Sequence, residues 1–449
     1  MRTSRTGVVW PAEIKLAILT KKIQEGNLMT TKNTLAILLG ATFMSAASLA
    51  AADITVWHHG GRGDGERDLI AAQIDAWNAA NPEMQASLEL LPEGSYNEQV
   101  AAAALAGDLP DLLDFDGPNY ANYVWSGYLA PLNNLVSADV IANLSPSLIA
   151  QGTYPVDGQL YSLGQFDSGL GIWGNKAILE EAGVRIPTGV ADAWSGEEFE
   201  AALAALQDLE SVTHALDIKM NYGQGEWFSY GFSPIVQSFG GDFINRETWR
   251  AEGTLNGEGA VAAMNMVQGL FNNDYIVPAS AGDDSFFGQK NAALALVGHW
   301  MWGAHNEAHG DNLVLLPMPN FGGKQVTGNG SWTWGITETA EDKAATAALL
   351  EFLLQDDNIV ALTNANGAVP GTLTSMASTE NFAEGGALSL YTEQLQNDIA
   401  MPRPAHPAYP VISASFAQAF SDIASGADVQ ETLNKAAAAI DEDIEDNGG

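Results

Sequence analysis

The order of elements in the first third of the sequence limits the fold most. Ile54-Thr55-Val56-Trp57 is a β-prone run that breaks into the glycine-rich loop His58-His59-Gly60-Gly61-Arg62-Gly63-Asp64-Gly65. A helix follows, with Leu69, Ile70, Ile74 and Trp77 at helical spacing, and stops before Pro82. A second β-prone run, Ala86 to Leu91, gives way to a helix over Tyr96 to Ala106, and Leu112-Leu113 leads into Asp114-Phe115-Asp116-Gly117-Pro118. Strand, loop, helix, strand is the grammar of a doubly wound α/β sheet. Such sheets collect ligand groups at the carboxyl ends of their strands, here near His58, Tyr96 and Asp116. The pattern resumes with a strand over Gly169 to Trp173, helices over Lys176 to Ala182 and Glu197 to Leu209, and late helices over Asp342 to Leu354 and Ser415 to Asp446. No internal repeat argues for a solenoid or propeller. At 449 residues and 46% apolar content, the chain has material for two lobes.

Ahead of this lies an uncharged stretch from Asn33 to Ala52, preceded by Lys32, opening on Leu35 to Leu39 and closing on Ser48-Leu49-Ala50-Ala51-Ala52. That is the layout of a secretory signal peptide with cleavage after Ala50 or Ala52; a single-pass anchor is the competing reading. Met29-Thr30-Thr31-Lys32 already makes a complete start to such a signal, so Met29 is the expected initiator. The sequence carries 18 Lys plus Arg against 55 Asp plus Glu, a net charge of −37. Loss of residues 1–52 leaves 12 basic and 53 acidic residues, or −41. A field of that sign repels nucleic acid and anionic lipid, which leaves solubility in a saline habitat as its most direct use. The absence of cysteine excludes thiol nucleophiles, thiolate metal sites and disulfides.

Chemistry-bearing residues form three groups. Trp300-Met301-Trp302 and Trp332-Thr333-Trp334, with Trp227 beside Glu226, offer indole faces that either stack on a sugar ring or fill a core. Asp64, Asp116 and Asp167 stand in or beside glycine-containing loops, as hydroxyl acceptors or as turn formers. His305 and His309 share a helical face, but Glu307 is one place too late for a zinc-protease motif, so they read as solvated surface histidines or, in the alternative, as a metal receptor. No nucleophile elbow, phosphate loop or dinucleotide fingerprint is present. A glycosidase pair among so many carboxylates is neither supported nor excluded.

These segments together resemble the family 1 extracellular solute-binding proteins, the maltose-binding-protein-like carbohydrate receptors of bacterial ABC importers. The resemblance rests on Ile54 to His58, Ala106-Gly107-Asp108-Leu109-Pro110-Asp111, Asp116-Gly117-Pro118, Gly127 to Leu132, Trp173-Gly174-Asn175-Lys176 with Ala182-Gly183-Val184, Phe287 to Ala293, Gly298-His299-Trp300, Gly330 to Ile336, and Arg403 to Tyr409. It implies an α/β, two-lobed periplasmic binding protein fold with three inter-lobe crossings, near Gly164 to Ser168, Gly328 to Ser331 and Gly367 to Gly371. One lobe would span 53–164 with 331–366, the other 168–328 with 371–449. It also implies a monomer that works without catalysis or cofactor, binding a mono- or oligosaccharide and delivering it to an inner-membrane permease. Ligand contacts are expected from His58, His59, Asp64, Tyr96, Asp116, Asp167, Trp227, Trp300, Trp302, Gly330, Trp332 and Arg403. Arg403 would clamp an anionic sugar, donate to neutral hydroxyls, or bridge the lobes; a neutral ligand is expected ahead of an acidic or sulfonated one. Two departures are His299, where the family often has proline, and Thr188 to Trp194, which lacks a compact Pro-x-Thr-Trp turn and leaves Trp194 with Glu197 as the sign of a helix start. A secreted carbohydrate-active enzyme is the alternative from a different class.

Overall fold

The computed structural model describes residues 54–60 and 64–447. They lie in one body, Leu49–Gly449. Met29, the signal segment, its cleavage sites and Arg62 lie outside the described residues.

Two four-stranded sheets organise the chain. In the first, Ile54–His58 pairs in parallel with Ala86–Leu90 on one side and Leu112–Asp116 on the other. Trp332–Ile336 closes the outer edge antiparallel, with Trp332 opposite Asp116. In the second, Leu170–Asn175 lies antiparallel between Ala292–Gly298 and Leu313–Leu316, and His214–Asp217 runs parallel along Ala292–Gly298. Ala292–Gly298 is buried at every position, as its unbroken apolar text requires of a strand covered on both faces. Each sheet has its own apolar core: Ile54, Ile70, Leu112, Leu163 and Leu350 pack under the first, and Ile172, Trp173, Phe199, Leu294 and Phe420 under the second.

The chain passes between these two lobes through short strand pairs. Phe166–Asp167 lies antiparallel to Val369–Pro370, and Thr327–Asn329 lies parallel to Ala400–Pro402. A Cβ on Gly371 would sit 2.6 Å from the Gln165 carbonyl oxygen, so that pair requires glycine there.

The element boundaries differ from the sequence reading in two informative places. The last helical stretch is two helices, Tyr409–Ala424 and Val429–Asn447, interrupted where Gly426 takes φ +94°. The helix after Trp194 starts one residue later than the Trp194 and Glu197 pair suggests. Ser195 and Glu198 form a reciprocal capping box, and Trp194 instead buries its indole while donating to the Arg185 carbonyl at 3.0 Å. Ser195→Ala removes one half of that cap and is expected to cost about 0.5–2 kcal/mol in chemical denaturation, as lost N-caps do.

Candidate functional site

The two lobes face each other across a cleft of about 250 Å³. Its first wall is the carboxyl edge of the first sheet. Parallel strands deliver His58 and Asp116 to the same edge, and the antiparallel neighbour begins there with Trp332. Trp332 stacks on the His59 ring with centroids 3.6 Å apart and planes 7° apart. Tyr96 meets the same indole edge-on at 5.4 Å; its hydroxyl donates to the Asp114 carbonyl at 2.6 Å.

Behind this platform lies a buried polar cluster. His59 Nδ1 donates to Asp114 Oδ2 at 2.5 Å, and His58 Nδ1 accepts from the Gly60 amide at 3.0 Å. Burial pushes the Asp114 carboxyl up to about 7 against the opposing pull of His58, and holds His58 down at about 3. Glu66 is likewise raised by burial, and its Oε2 accepts from Asn366 at 3.2 Å.

The opposite wall is aromatic. The helix Glu226–Ser238 presents Trp227 and Tyr230, and Trp300 stands perpendicular to Trp227 at 5.8 Å while donating Nε1 to the Tyr222 hydroxyl at 3.2 Å. The indole of Trp300 folds over Gly298, where a Cβ would fall 2.1 Å from a ring carbon. His299 lies beneath, with Nδ1 donating to the Asn366 carbonyl at 2.8 Å and burial lowering its pKa to about 4. His299 thus ties Trp300 to the helix Asp356–Asn366.

Arg403 joins the walls. Its guanidinium forks onto Asp116 at 2.9 and 3.1 Å and reaches Glu226 at 2.5 Å. It also lies 4.8 Å from the Tyr230 ring centre. Glu226 is held in turn by Ser413 at 2.6 Å and by the Tyr409 hydroxyl. Of the three roles open to Arg403, the geometry realises the bridge between lobes. Gly330, at φ +106°, carries the backbone past this group.

Of the residues singled out from sequence, His59, Asp116, Trp227, Trp300, Gly330, Trp332 and Arg403 line the cleft. His58 and Tyr96 are buried behind its wall. Asp167 is buried at the Phe166–Asp167 crossing, accepting from the Ser168 amide at 2.8 Å and Gln151 at 3.1 Å, while its neighbours Phe166 and Ser168 line the cleft. Trp302 stacks at 6.1 Å on the core residue Trp173. Asp64 begins the helix Asp64–Ala80, and its side chain lies outside the described residues. His305 and His309 are buried, contrary to their reading as solvated. His305 sits against Trp173 and Phe286, while His309 accepts from Asn175 at 3.2 Å and donates to the Phe286 carbonyl at 3.0 Å. With both His309 nitrogens engaged, the pair does not converge on a metal. Glu66, Tyr222, Tyr230 and the bridging role of Glu226 were not singled out. Only Glu226, beside Trp227, had an adjacent signal.

The sequence matches the family described as "Bacterial extracellular solute-binding protein" over residues 63–359. The chain belongs to that family. An uncharacterized lipoprotein in the oleD 5′ region of Streptomyces antibioticus is 23% identical over 322 residues, 68% of each chain. Among solved structures, the GacH receptor of Streptomyces glaucescens superposes with a TM-score of 0.72 at 20% identity, covering 88% of this chain and 97% of that one. A cyclic α-maltosyl-1,6-maltose binding protein from Arthrobacter globiformis gives 0.69 at 23%, covering 88% and 99%. The two-lobed binding-protein fold and an extracytoplasmic solute-binding role follow for this member of the family. No helix among the described residues is long and apolar enough to cross a membrane.

Two measurements test the site's construction. Gly298→Ala is expected to drive the Trp300 indole off its seat, shifting tryptophan emission in the wild-type background but not in a Trp300→Phe background. His299 takes up its proton near pH 6.5 when unfolded but resists until about 4 when folded. Its contribution to stability is therefore lost as pH falls through that window, by about 1.4 kcal/mol per pH unit. His299→Gln is expected to flatten the acid limb of the stability profile by that one proton, read as the difference from wild type because Asp114 titrates in the opposite sense.

Proposed function

We propose that the protein is the sugar-binding component of an ABC importer, holding a mono- or oligosaccharide between its lobes and delivering it intact to an inner-membrane permease from the periplasm. The observation that carries this reading is the pair of aromatic walls, Trp332 on His59 and Trp300 on Trp227, facing one concave cleft whose lining also carries polar groups such as Asn97, Ser168, Gln224 and Ser331. A pyranose presents apolar faces to such walls and hydroxyls to the groups between them. The neighbours' ligands agree in class: GacH is described in complex with acarbose, and the Arthrobacter protein binds a cyclic maltosyl-maltose.

The ligand is neutral in this reading. Among the described lining residues, the guanidinium of Arg403 is already engaged by Asp116 and Glu226, and Glu98 adds a further carboxylate. An anionic sugar would enter a negative field with that cation committed. Binding without catalysis fits the same triad, since Asp116 and Glu226 hold Arg403. The lobes are assigned to 53–164 with 331–366 and to 168–328 with 371–449, supported by the separate cores and the paired strands between them. His59, Asp116, Trp227, Trp300, Gly330, Trp332 and Arg403 form the ligand surface, with Glu226 and Tyr230 added.

A thermal-shift panel of neutral, acidic and sulfonated sugars tests the ligand class. Neutral oligosaccharides are expected to raise Tm, and stabilisation by anionic sugars alone would overturn the assignment. Trp300→Ala and Trp332→Ala are each expected to weaken binding by about 1–4 kcal/mol in titration calorimetry, with the recovered sugar unchanged by mass spectrometry.

A further inference from the structure

Beneath the sugar-facing platform, one ligand atom each from His58, His59 and Glu66 lie within 4.8 Å of one another, and all three residues are buried. Glu66 Oε1 is buried without a hydrogen bond. It stands 3.7 Å from His59 Nε2 and 3.9 Å from His58 Nε2. A carboxylate oxygen left in this way is costly unless a cation or donor completes it. We propose that His58, His59 and Glu66 bind a zinc ion under the cleft floor.

The donor set suits that ion, and two of its neighbours, Asp114 and Asn366, orient it while a third, the Gly60 amide, must give way. Two imidazole nitrogens and one carboxylate oxygen make a set that zinc takes, and ligand atoms about 2.0–2.2 Å from the metal lie roughly 3.3–3.6 Å apart, closer than the 3.7 and 3.9 Å that separate Glu66 Oε1 from the two Nε2 atoms. Asp114 accepts from His59 Nδ1 at 2.5 Å, which places the ring proton on Nδ1 and turns Nε2 toward Glu66 Oε1, 3.7 Å away. Asn366 donates to the other oxygen of Glu66 at 3.2 Å, orienting Oε1 toward the histidines. At His58 the Gly60 amide donates to Nδ1 at 3.0 Å, placing that ring's proton on Nε2, where the metal would sit. Zinc binding moves the proton to Nδ1 and requires the Gly60 amide to turn away. Because His59 stacks on Trp332 and Asn366 ends the helix before the Val369–Pro370 crossing strand, the ion would staple the platform to the segment that joins the lobes. This inference goes beyond the sugar reading and does not depend on it.

The test is calorimetric titration of the untagged, chelator-stripped mature chain with zinc sulfate in the absence of sugar, with elemental analysis after dialysis. One zinc per chain is expected, weakened about tenfold or more by Glu66→Gln and by His59→Gln, and unaffected by His214→Gln, a partly exposed histidine on another strand. Cobalt(II) in the wild-type chain is expected to give visible bands of a tetrahedral nitrogen and oxygen site, a readout that needs no variant to fold. No retained zinc, or zinc indifferent to Glu66→Gln and His59→Gln, or zinc lost with His214→Gln, would overturn the proposal.

Discussion

Arg403 is the interaction on which the cleft depends. Its guanidinium is buried, forked onto Asp116 at the edge of the first sheet and bonded to Glu226 at the start of a second-lobe helix. A buried charge of this kind is tolerated because both terminal nitrogens are paired with carboxylates, although Nε has no hydrogen-bond partner among the described residues, and removing one carboxylate would strand the charge at a cost of several kcal/mol. Tyr230 lies against the guanidinium, while Tyr409 and Ser413 hold Glu226 in place. The separation of the aromatic walls depends on this one group, which ties Asp116 on one wall to Glu226 on the other.

Around that centre, the aromatic surfaces are aimed by what stands behind them or is missing beneath them. Tyr96 and His59 back Trp332 from two directions. Trp300 takes its position because Gly298 leaves room for it and because His299 anchors the turn to the Asn366 carbonyl. A rigid aromatic surface loses little entropy when a ligand settles on it, which is the economy a binding site without catalysis needs.

The strand and helix order was legible because a parallel sheet writes itself as alternating runs, and the binding edge followed from where those runs end. Trp300, Trp332 and Arg403 came from motif resemblance, and the structure brings them to one cleft. Local text could not separate Trp302 from Trp300: the two are two residues apart, but a helix begins at Trp302 and turns its ring onto Trp173. The bridging role of Glu226 was hidden for a different reason. It is one of 55 acidic residues, and its partner lies 177 positions away, as Asp116's lies 287 away. Charge pairing over such spans leaves no periodicity to read. His305 misled in the opposite direction, since a polar residue on a helix suggests a wet face, yet this helix packs that face among aromatic rings.

The strand Trp332–Ile336 closes the first sheet from a point in the chain that follows most of the second lobe. While a ribosome is still making the intervening residues, Leu112–Asp116 has an open edge and the first core lacks Trp334, Ile336 and the helix Lys343–Leu353. The lobe translated first is therefore the one that must wait. For a protein that works outside the cytoplasm, such a delay would keep the nascent first lobe loose and threadable through most of its synthesis, with the folded lobe arriving only after Leu353 has emerged.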